Sequence, residues 1–517
     1  LILDGNRLYL QRYYHYESGI AERLASMNRI IEDTDPRTAH EVMSRVGDGQ
    51  SPARDLQTLA VLTALCRQLT IITGGPGTGK TTAVVTLLRS LLAGDMDPAG
   101  IRLAAPTGKA AARLADALSG AGIEYEFEVS TLHRLLGMRA DGRSWRYGPD
   151  RPLPVEVLIV DEVSMIDLTM MHRLLEALPP TTRLVLLGDP DQLPSVEAGN
   201  VLGEICKHEA GYSDAWRSAL SSASGLSLAG TSRRHALADA VCRFETTYRF
   251  SVDRGIGKLA RAVREGLDEP PPDDDEVTTR SLATLGIEEV MTLFSAWMDA
   301  LKRGAAGDEL LAAFDTARIL IPSREGPMGV KAVNDAIESH LRASGAIDDD
   351  ARYYHGRPIL VTRNDYNLRL FNGDIGICVD AGDAPHVLFP DSTGGVRSYL
   401  ATRLPPHETC YAMTVHKSQG SEFDDVAILL PERESTGAEQ IMTRELVYTA
   451  ITRARRRVRL YYDGDTLKEC IATRTHRQSG LGDRFLLQVS TAARTSRATS
   501  ANREQPGGQL DMFENEP

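Results

Sequence analysis

A glycine-rich segment carries the first residues whose types and spacing indicate chemistry. Residues 74–81 read Gly-Gly-Pro-Gly-Thr-Gly-Lys-Thr and fit the pattern G-x-x-x-x-G-K-[ST], between an apolar run and a helix-forming stretch. In such a loop, backbone N–H groups and a helix N-terminus surround phosphate oxygens, while the lysine reaches the β- and γ-phosphates. The residues predicted to bind ATP here are Gly74, Gly75, Pro76, Gly77, Thr78, Gly79, Lys80, Thr81 and Thr82.

Two acidic residues further along the chain complete a hydrolytic set. Asp161 and Glu162 directly follow the apolar run 155–160, which places them at the carboxyl edge of a sheet beside the phosphate loop. Phosphoryl transfer depends on positioning and on neutralising charge. We therefore predict that Thr81 and Asp161 hold Mg²⁺, and that Glu162 orients or deprotonates the attacking water. The pairing indicates nucleotide hydrolysis rather than binding alone.

Short apolar runs that alternate with helical patterns would position these residues. Buried parallel strands read as continuous apolar runs, and their alternation with helices indicates α/β layers. One set of predicted strands is 69–73, 101–105, 155–160 and 183–188, and a second set is 318–322, 425–430 and 458–462. The two sets predict two sheet domains in tandem. The acidic, proline-rich segment 268–276 between them is interpreted as a linker or a surface loop.

Residues 351–405 show a different pattern. Gly and Asp punctuate short β-type runs such as 358–362 and 376–379, and Asn372-Gly373 is a turn signal. We predict a small β-barrel inserted into the second sheet domain. From about residue 490 the chain is polar and lacks apolar periodicity, which predicts disorder.

The composition argues against several classes of protein. A net charge of −13 over 517 residues does not suit a general nucleic-acid coat protein, but it allows a motor that holds DNA in a local groove. The chain has neither an apolar run long enough to span a membrane nor a signal peptide, so we expect a cytoplasmic protein with no membrane partner. The six cysteines are scattered without a CxxC pair, which argues against a metal site or a disulfide framework. Because the chain opens with Leu1, we expect that an N-terminal portion is missing.

Further segments resemble the motifs of superfamily 1 helicases between residues 57 and 459. Segments 105–111 and 130–134 resemble motif Ia and the motif that follows it, which hold the DNA backbone in that family. Segments 187–194, 246–250 and 447–455 resemble motifs III, IV and VI, and 414–423 resembles motif V in the form used by 5′-to-3′ members. The resemblance implies binding of single-stranded and duplex-end DNA by Pro106, Thr107, Lys109, Thr131, His133, His416, Ser418 and Gln419.

The same resemblance assigns more residues to the nucleotide. It implies that Gln57 reads adenine, that Tyr248 stacks on adenine unless it packs in the core, and that Glu422 also binds ATP. Two arginines would be fingers that reach the γ-phosphate from the far domain, because a guanidinium presents planar, bidentate donors to phosphate. The predicted catalytic residues are Lys80, Glu162, Gln192, Arg249 and Arg453.

Stretches outside the ATPase motifs resemble the RecD family in particular. They are residues 3–13, 324–327, 363–365 and 370–374. The resemblance implies an ATP-dependent 5′-to-3′ DNA helicase that works with RecB-like and RecC-like subunits, as in the RecBCD enzyme (exonuclease V), in double-strand break repair and homologous recombination. A stand-alone RecD-like helicase is the alternative. The intact ATPase motifs argue against a vestigial ATP switch or scaffold, and the lack of a recognisable carboxylate cluster with an adjoining lysine argues against a nuclease.

The resemblance also implies a domain organisation. We expect two tandem RecA-like P-loop NTPase domains, α/β in class, with a small SH3-like β-barrel insertion in the second. The predicted boundaries are 1–50 (remnant of an N-terminal domain), 51–250 (first domain), 251–350 and 406–489 (second domain), 351–405 (insertion) and 490–517 (disordered tail). A strand-separating hairpin is placed near 139–154, where Trp145 and Tyr147 would stack on bases or pack across strands.

One short motif lies in the tail. The sequence Gln-Leu-Asp-Met-Phe from Gln509 to Phe513 resembles the peptide by which bacterial replication and repair proteins bind the sliding clamp. The glutamine would fix one end, and Leu510, Met512 and Phe513 would fill an apolar pocket. The alternatives are a chance match and a tail that packs back on the body.

Overall fold

The computed structural model describes the chain in ranges separated by gaps. The described residues are 1–46, 55–123, 125–139, 144–208, 211–226, 228, 235–347, 351–365, 367–380, 382, 384–391, 395–432 and 441–486. Within them, two parallel sheets are flanked by helices, and a smaller antiparallel sheet interrupts the second. The predicted α/β class with two parallel sheets is confirmed.

The first described elements pack on both faces of the first sheet. An antiparallel hairpin, β1 (Ile2–Asp4) and β2 (Arg7–Tyr9), precedes helices α1 (Gln11–Met27) and α2 (Pro36–Val46). Helix α1 buries Ile20 and Leu24 in the core on one face of the sheet. Helix α2 buries Met43 in the core on the other face. The segment predicted as the remnant of an N-terminal domain is 1–50, and its described part, 1–46, contributes to the first α/β unit.

The first unit is built from six described strands and the helices between them. In chain order these are α3 (Asp55–Cys66), β3 (Leu69–Gly74), α4 (Lys80–Ala93), β4 (Ile101–Ala105), α5 (Gly108–Ser119), β5 (Val129–Thr131), α6 (Leu132–Leu135), β6 (Val157–Val160), α7 (Leu168–Ala177), β7 (Arg183–Gly188), α8 (Val201–Cys206), α9 (Asp214–Ser224) and β8 (Val241–Phe244). The strand order is β5-β4-β6-β7-β3-β8 and every pairing is parallel.

Alternate residues of these strands face opposite cores. Leu158 and Val160 belong to the core that holds α1, whereas Val157 and Ile159 belong to the core that holds α2. Successive side chains of a strand point to opposite faces, so a sheet covered on both sides requires a continuous apolar run. This requirement explains why the four runs predicted in this half are all strands of the sheet.

The second unit begins with the elements that precede the insertion. They are α10 (Gly255–Glu265), β9 (Val277–Arg280), α11 (Ile287–Thr292), α12 (Ser295–Lys302), α13 (Gly307–Asp315), β10 (Ala317–Ile321) and α14 (Val330–Ala343). The acidic segment 268–276 joins α10 to β9. Ile256 of α10 and Val277 of β9 are buried in the same core. The surface-loop interpretation of this segment is therefore confirmed, and the interpretation as a linker between domains is wrong.

The insertion forms its own sheet. Strands β11 (Pro358–Val361), β12 (Ile375–Asp380), β13 (Pro385–Pro390), β14 (Val396–Leu400) and β15 (His407–Thr409) pair in the antiparallel order β14-β13-β12-β11-β15. Its core includes Ile359, Val387 and Phe389. Gly373 has a φ of +99°, as the predicted Asn-Gly turn requires. An antiparallel insertion is thus present, and its SH3-like class stays a prediction.

The second parallel sheet is completed after the insertion. Its remaining elements are β16 (Ala412–Thr414), β17 (Phe423–Leu429), α15 (Arg444–Ile451), β18 (Ala454–Tyr461) and α16 (Thr466–Ala472). The strand order is β16-β10-β17-β18-β9, again with parallel pairings throughout. The insertion therefore enters between β10 and β16, two neighbouring strands of the sheet.

After α16 the chain returns to the first unit. Leu481 and Phe485 are fully buried in the core that holds α1. The Ser479 hydroxyl donates to Glu17 Oε1 of α1 at 2.7 Å. The C-terminal part of the segment predicted as second domain (406–489) thus packs on the first unit, and a second stretch of chain joins the two units.

Part of the predicted strand-separating hairpin lies outside the described residues, because 140–143 are not described. Met138 pairs with Trp145 in an antiparallel bridge. The Trp145 ring lies under the Arg173 guanidinium at 4.9 Å and its centroid is 5.8 Å from that of His133. Packing therefore accounts for Trp145 in the described part of the hairpin.

Two further predictions concern the C-terminal tail and the absence of a membrane span. The predicted tail 490–517, with the clamp-like motif from Gln509 to Phe513, lies outside the described residues. Among the helices that the structure describes, none combines the length and apolar character needed to cross a membrane.

Candidate functional site

A cleft of about 810 Å³ lies between the two parallel sheets. From the first unit it is lined by Gln57, Pro76, Gly77, Thr78, Gly79, Lys80, Thr81, Thr82, Arg113, Asp161, Glu162 and Gln192. Tyr248 and Arg249 follow β8, and Gly420, Glu422 and Arg453 come from the second unit. The fold thus brings all five predicted catalytic residues to one cavity.

The phosphate loop connects β3 to α4 through left-handed glycines. Gly77 and Gly79 have φ of +73° and +88°. A Cβ on Gly77 would collide with Arg249, and a Cβ on Gly79 would collide with the Gln57 side-chain amide. The Gln57 amide donates to the Thr78 carbonyl at 3.1 Å. These glycines provide both the backbone conformation and the space for two predicted nucleotide-binding side chains.

Lys80, the first residue of α4, folds back onto the loop. Its ammonium donates to the carbonyl oxygens of Gly74 at 2.6 Å and Gly75 at 3.0 Å. These carbonyls have only partial negative charge, whereas a phosphate oxygen carries a formal charge and forms stronger hydrogen bonds. A phosphate in the cleft would therefore compete favourably for the lysine.

The two acids lie at the carboxyl end of β6. Glu162 has a φ of +54°, which is uncommon for a residue with a side chain. Its N–H donates to Asp161 Oδ1 at 2.8 Å. Burial and the neighbouring Glu162 carboxylate raise the pKa of Asp161 to about 6, although Lys80 lowers it. Asp161 and the half-buried Thr81 offer oxygen donors in one cavity, which fits the ligand preference of Mg²⁺.

Glu422 of the second unit is held by arginines of the first. Its Oε1 lies 2.8 Å from Arg249 Nη2 and 2.8 Å from Arg113 Nη2. Arg455 approaches Oε2 at 3.4 Å. Burial alone would raise the pKa of Glu422, but Arg113 and Arg249 lower it to about 2. Arg249 follows β8 of the first unit, so the expectation that it reaches the phosphate from the far domain is not met. It is instead paired with a carboxylate across the cleft.

Arg113 is a cleft residue that sequence reasoning missed. It lies on α5, four residues after Lys109, and its guanidinium shares the Glu422 carboxylate with Arg249. Its position one helical turn beyond the motif Ia lysine is a signal that could have identified it, because residues four apart lie on the same face of a helix.

The other predicted finger, Arg453, is 2% exposed and follows α15. Its Nε donates to the Thr449 carbonyl at 3.2 Å and its Nη1 donates to the Ser421 carbonyl at 3.2 Å. Burial lowers the pKa of this guanidinium. Arg453 is therefore fixed to motif V and motif VI in the wall of the cleft.

Tyr248 and Gln192 occupy different depths of the cleft. Tyr248 is 53% exposed and its N–H donates to the Gly77 carbonyl at 2.8 Å, so the alternative of core packing is wrong. Gln192 is buried and its amide donates to Asp189 Oδ2 at 3.2 Å.

The end of motif III is bound by two segments of the second unit. The Tyr448 hydroxyl of α15 donates to Asp189 Oδ2 at 3.1 Å. The Leu193 N–H donates to Thr449 Oγ1 at 2.8 Å, and the Gln419 amide donates to the Leu193 carbonyl at 2.9 Å. Burial raises the pKa of Asp189 to about 6, against the effect of Lys80. Tyr448 was not predicted as a site residue, and this contact couples the two units next to the phosphate loop.

Six residues predicted to bind DNA are at least partly accessible. Pro106, Thr107 and Lys109 follow β4, Thr131 is the last residue of β5, His133 lies in α6, and His416 follows β16; all are half-buried. The hydroxyls of Thr107 and Thr131 cap helices α5 and α6, accepting from the N–H groups of Ala110 and Arg134. Burial lowers the pKa of the Lys109 ammonium. The group lies at the carboxyl ends of strands in both sheets.

Ser418 and Gln419 depart from the prediction. Ser418 is fully buried and its hydroxyl donates to the Val415 carbonyl at 2.7 Å. Gln419 is 8% exposed and its amide is bonded to Leu193. Both side chains face the protein interior, and the Gln419 bond connects the turn over His416–Ser418 to the first unit. The Gln419 bond stabilises the contact between the units, whereas the Ser418 bond lies within the second unit. The expectation of a direct DNA contact is not met for either side chain.

Comparisons with known proteins agree with this arrangement. Residues 57–198 match the model of an AAA domain, and residues 409–461 match that of the UvrD-like helicase C-terminal domain. The RecBCD enzyme subunit RecD of Mycolicibacterium smegmatis is 38% identical over 94% of this chain and 83% of that protein. The subunit of the same name from Haemophilus influenzae is 35% identical over 86% of this chain and 74% of that protein. The ATP-dependent RecD2 DNA helicase of Deinococcus radiodurans is 32% identical over 87% of this chain and 54% of that protein.

The two RecD proteins thus match this chain over 86% and 94% of its length at 35% and 38% identity. The chain therefore belongs to the RecD family and is an ATP-dependent DNA helicase.

Proposed function

We propose that this chain couples ATP hydrolysis to 5′-to-3′ movement on single-stranded DNA, as the motor subunit of a RecBCD-type complex. The observation that carries the proposal is the Arg249–Glu422 pair at 2.8 Å, beside Lys80 in one cleft. A site that only bound nucleotide would not need charges from two units at the phosphate. A motor needs them, because ATP must change the contact between its domains.

In the proposed mechanism the phosphate loop and Lys80 bind the β- and γ-phosphates. Thr81 and Asp161 would hold Mg²⁺, which supplies charge neutralisation at the phosphates when it is bound. Glu162 orients the attacking water or removes its proton, and Gln192 senses the γ-phosphate. Gln57 and Tyr248 would contact adenine at the mouth of the cleft.

Arg249 and Arg113 have two alternative partners, which are the Glu422 carboxylate and the γ-phosphate. Without nucleotide it neutralises Arg249 and Arg113. A γ-phosphate has more negative charge and more acceptor oxygens than a carboxylate, so it would attract the same guanidinium groups. Arg453, fixed in the adjacent wall, would add a second positive charge. Binding of the γ-phosphate would thus break the Arg249–Glu422 contact between the units, and its release would form the contact again.

The Tyr448–Asp189 and Thr449–Leu193 bonds would transmit this change to DNA. They join α15 to the segment after β7, which lies beside the predicted DNA-binding residues of motif V. Pro106, Thr107, Lys109, Thr131, His133 and His416 would contact mainly the DNA backbone. Such contacts predict binding that is sensitive to salt and tolerant of sequence.

Partners come from the relatives. Two of the RecD proteins compared above are named as subunits of a RecBCD enzyme. We therefore propose a cytoplasmic complex with RecB-like and RecC-like subunits that acts on duplex ends in double-strand break repair and homologous recombination. The antiparallel insertion would be the SH3-like domain, and the hairpin near 139–154 would separate strands.

A stand-alone helicase is the second candidate, since the Deinococcus relative carries the name of a helicase rather than of a complex subunit. Unwinding of tailed duplexes by the purified chain, with and without RecB and RecC, tests both. We expect unwinding only from a 5′ tail and stimulation by the partners, and Lys80→Ala serves as the inactive control. A requirement for a 3′ tail would refute the polarity. Full activity that the partners do not change would favour the stand-alone helicase.

A clamp contact through Gln509, Leu510, Met512 and Phe513 also remains a proposal. A peptide covering residues 505–517, titrated against the bacterial sliding clamp, tests it. We expect binding in the micromolar range, which corresponds to about 8 kcal/mol. Binding that Leu510→Ala with Phe513→Ala leaves unchanged, or no binding at about 100 μM, would remove the proposal.

A further inference from the structure

Three potential metal ligands meet outside the cleft, where α1 packs on α7. They are His15 of α1 and His172 and Glu176 of α7. One ligand atom from each lies within 4.8 Å of the other two. His172 Nδ1 is 3.3 Å from a Glu176 carboxylate oxygen, and the His15 and His172 ring centroids are 5.1 Å apart. None of the three residues lines the ATP cleft.

The two helices position the group through their apolar faces. Ile20 and Leu24 of α1 and Met171 and Leu174 of α7 are buried in one core, which sets the helices side by side. His172 and Glu176 are four residues apart on α7 and therefore lie on the same face of the helix. The packing of the core thus brings His15 against a pair that the helix itself prearranges.

Gly19 of α1 determines which nitrogen of His172 is available. A Cβ at Gly19 would lie 2.8 Å from His172 Nε2, so the absence of a side chain leaves room for the imidazole ring. The Nε2 edge therefore faces the backbone of α1. The Nδ1 edge faces Glu176 and is free to be a ligand in the neutral imidazole.

We propose that His15, His172 and Glu176 bind a divalent transition metal ion of the zinc class and so hold α1 against α7. Imidazole nitrogen and carboxylate oxygen are the ligands that Zn²⁺ takes beside thiolate. Ligand atoms at about 2.0–2.2 Å from one tetrahedral ion lie about 3.3 Å apart. The His172–Glu176 distance already has this value, and the exposed side chains of His15 and Glu176 can rotate inward.

The scattered cysteines argue against a metal site built from thiolates. The ligands proposed for this site are histidine and glutamate, so the cysteine pattern does not bear on it. His15 and His172 are 157 positions apart in the sequence and form no local motif. Plain packing of rings is the competing account, since the Tyr16 ring also lies 4.8 Å from that of His172. A packed cluster would have no affinity for metal, so the two accounts differ in a measurable quantity.

Metal binding at this position would have a structural consequence. Helix α1 also carries Glu17, which accepts hydrogen bonds from Ser479 and from the Gly480 N–H of the C-terminal return. An ion that holds α1 on α7 would therefore stabilise the contact between the N-terminal helix and the returning segment. Because a ligand that binds only the folded state raises its stability, the melting temperature should rise with metal.

The test is a titration of the whole chain with ZnCl₂ by calorimetry, without nucleotide, together with the absorption spectrum of bound Co²⁺. We expect one ion per chain with a Kd of about 10 μM or tighter, and a rise in melting temperature. His15→Ala and Glu176→Gln, both at exposed ligands, should each weaken binding by about tenfold or more. These variants leave the buried His172 in place and so avoid a folding defect.

His340→Ala is the matched control. His340 lies on the second unit, 3.7 Å from the Glu288 carboxylate, so it also pairs with a glutamate but is not one of the three proposed ligands. This variant should bind zinc as the unchanged chain does. The proposal is overturned if no ion binds at about 100 μM, if His15→Ala and Glu176→Gln bind as tightly as the unchanged chain, or if His340→Ala weakens binding equally.

Discussion

Arg249 and Glu422 form an ion pair of 2.8 Å between the two units of the chain. The arginine follows β8 at the edge of the first sheet, and the glutamate directly precedes β17 of the second. The residue proposed to neutralise the γ-phosphate therefore has a carboxylate partner before nucleotide arrives. ATP would have to replace that partner, which links nucleotide binding to the contact between the units.

Replacement of Arg249 tests this role. Arg249→Lys keeps the charge but loses the planar, bidentate donors, and we expect the kcat of DNA-stimulated ATP hydrolysis to fall by about 10³-fold. Binding of a fluorescent ATP analogue should weaken much less. Arg254→Lys, at an exposed arginine that pairs with Glu276 at 3.2 Å, is the control. Hydrolysis by Arg249→Lys at the rate of the control would contradict the assignment.

The roles of Lys80 and Glu162 predict a separation of binding from turnover. Glu162→Gln should still bind ATP but lose about 10²-fold or more in kcat, because the attacking water loses its positioned base. Lys80→Ala should abolish hydrolysis through loss of the main charge partner of the γ-phosphate. Glu156→Gln, at an exposed residue just before the same strand β6, should behave as the unchanged chain. Normal turnover in Glu162→Gln would remove the base assignment.

Tyr448→Phe should uncouple the units. The hydroxyl bond to Asp189 is buried, and loss of a hydrogen bond to a charged group costs about 1.5–3 kcal/mol. We expect ATP binding to change little, while DNA stimulation of ATP hydrolysis and unwinding decline together. Tyr461→Phe removes a similar hydroxyl bond, to Glu289 at 2.9 Å, away from the cleft and is the control. Equal loss of coupling in both variants would show that the effect is not specific to the cleft.

The stability of the folded chain should depend on pH through the ionisation of Glu422. Its pKa is lowered from an ordinary value of 4.5 to about 2, so its ion pairs stabilise the fold above pH 4.5 and this contribution is lost as the pH falls toward 2. A shift of this size corresponds to about 3 kcal/mol at neutral pH. Glu422→Gln should lower the melting temperature at pH 7 and flatten its decline between about pH 5 and pH 3.

Glu309→Gln is the control for this measurement, because Glu309 forms an exposed pair with Arg303 and such pairs contribute little to stability. Its melting temperature should follow the pH dependence of the unchanged chain. An unaltered slope in Glu422→Gln would mean that other carboxylates set the acid response.

The sequence by itself determined the residues whose geometry depends on short stretches of chain. Two site segments each follow a buried strand: the phosphate loop from Gly74 to Thr81 and the pair Asp161–Glu162. The local geometry of a strand and the loop after it therefore places these side chains at the carboxyl edge of the sheet. The apolar runs likewise predicted the two sheets, because strands covered on both faces require continuous burial.

Only the tertiary structure decided which partners these residues meet. Glu422 reaches Arg249 and Arg113, the return of Leu481 and Phe485 enters the first core, and Ser418 faces the interior instead of DNA. Each of these contacts joins residues far apart in the sequence or depends on how the two units close. Their formation is governed by the packing of whole helices and sheets, and the periodicity of a local segment contains no information about it.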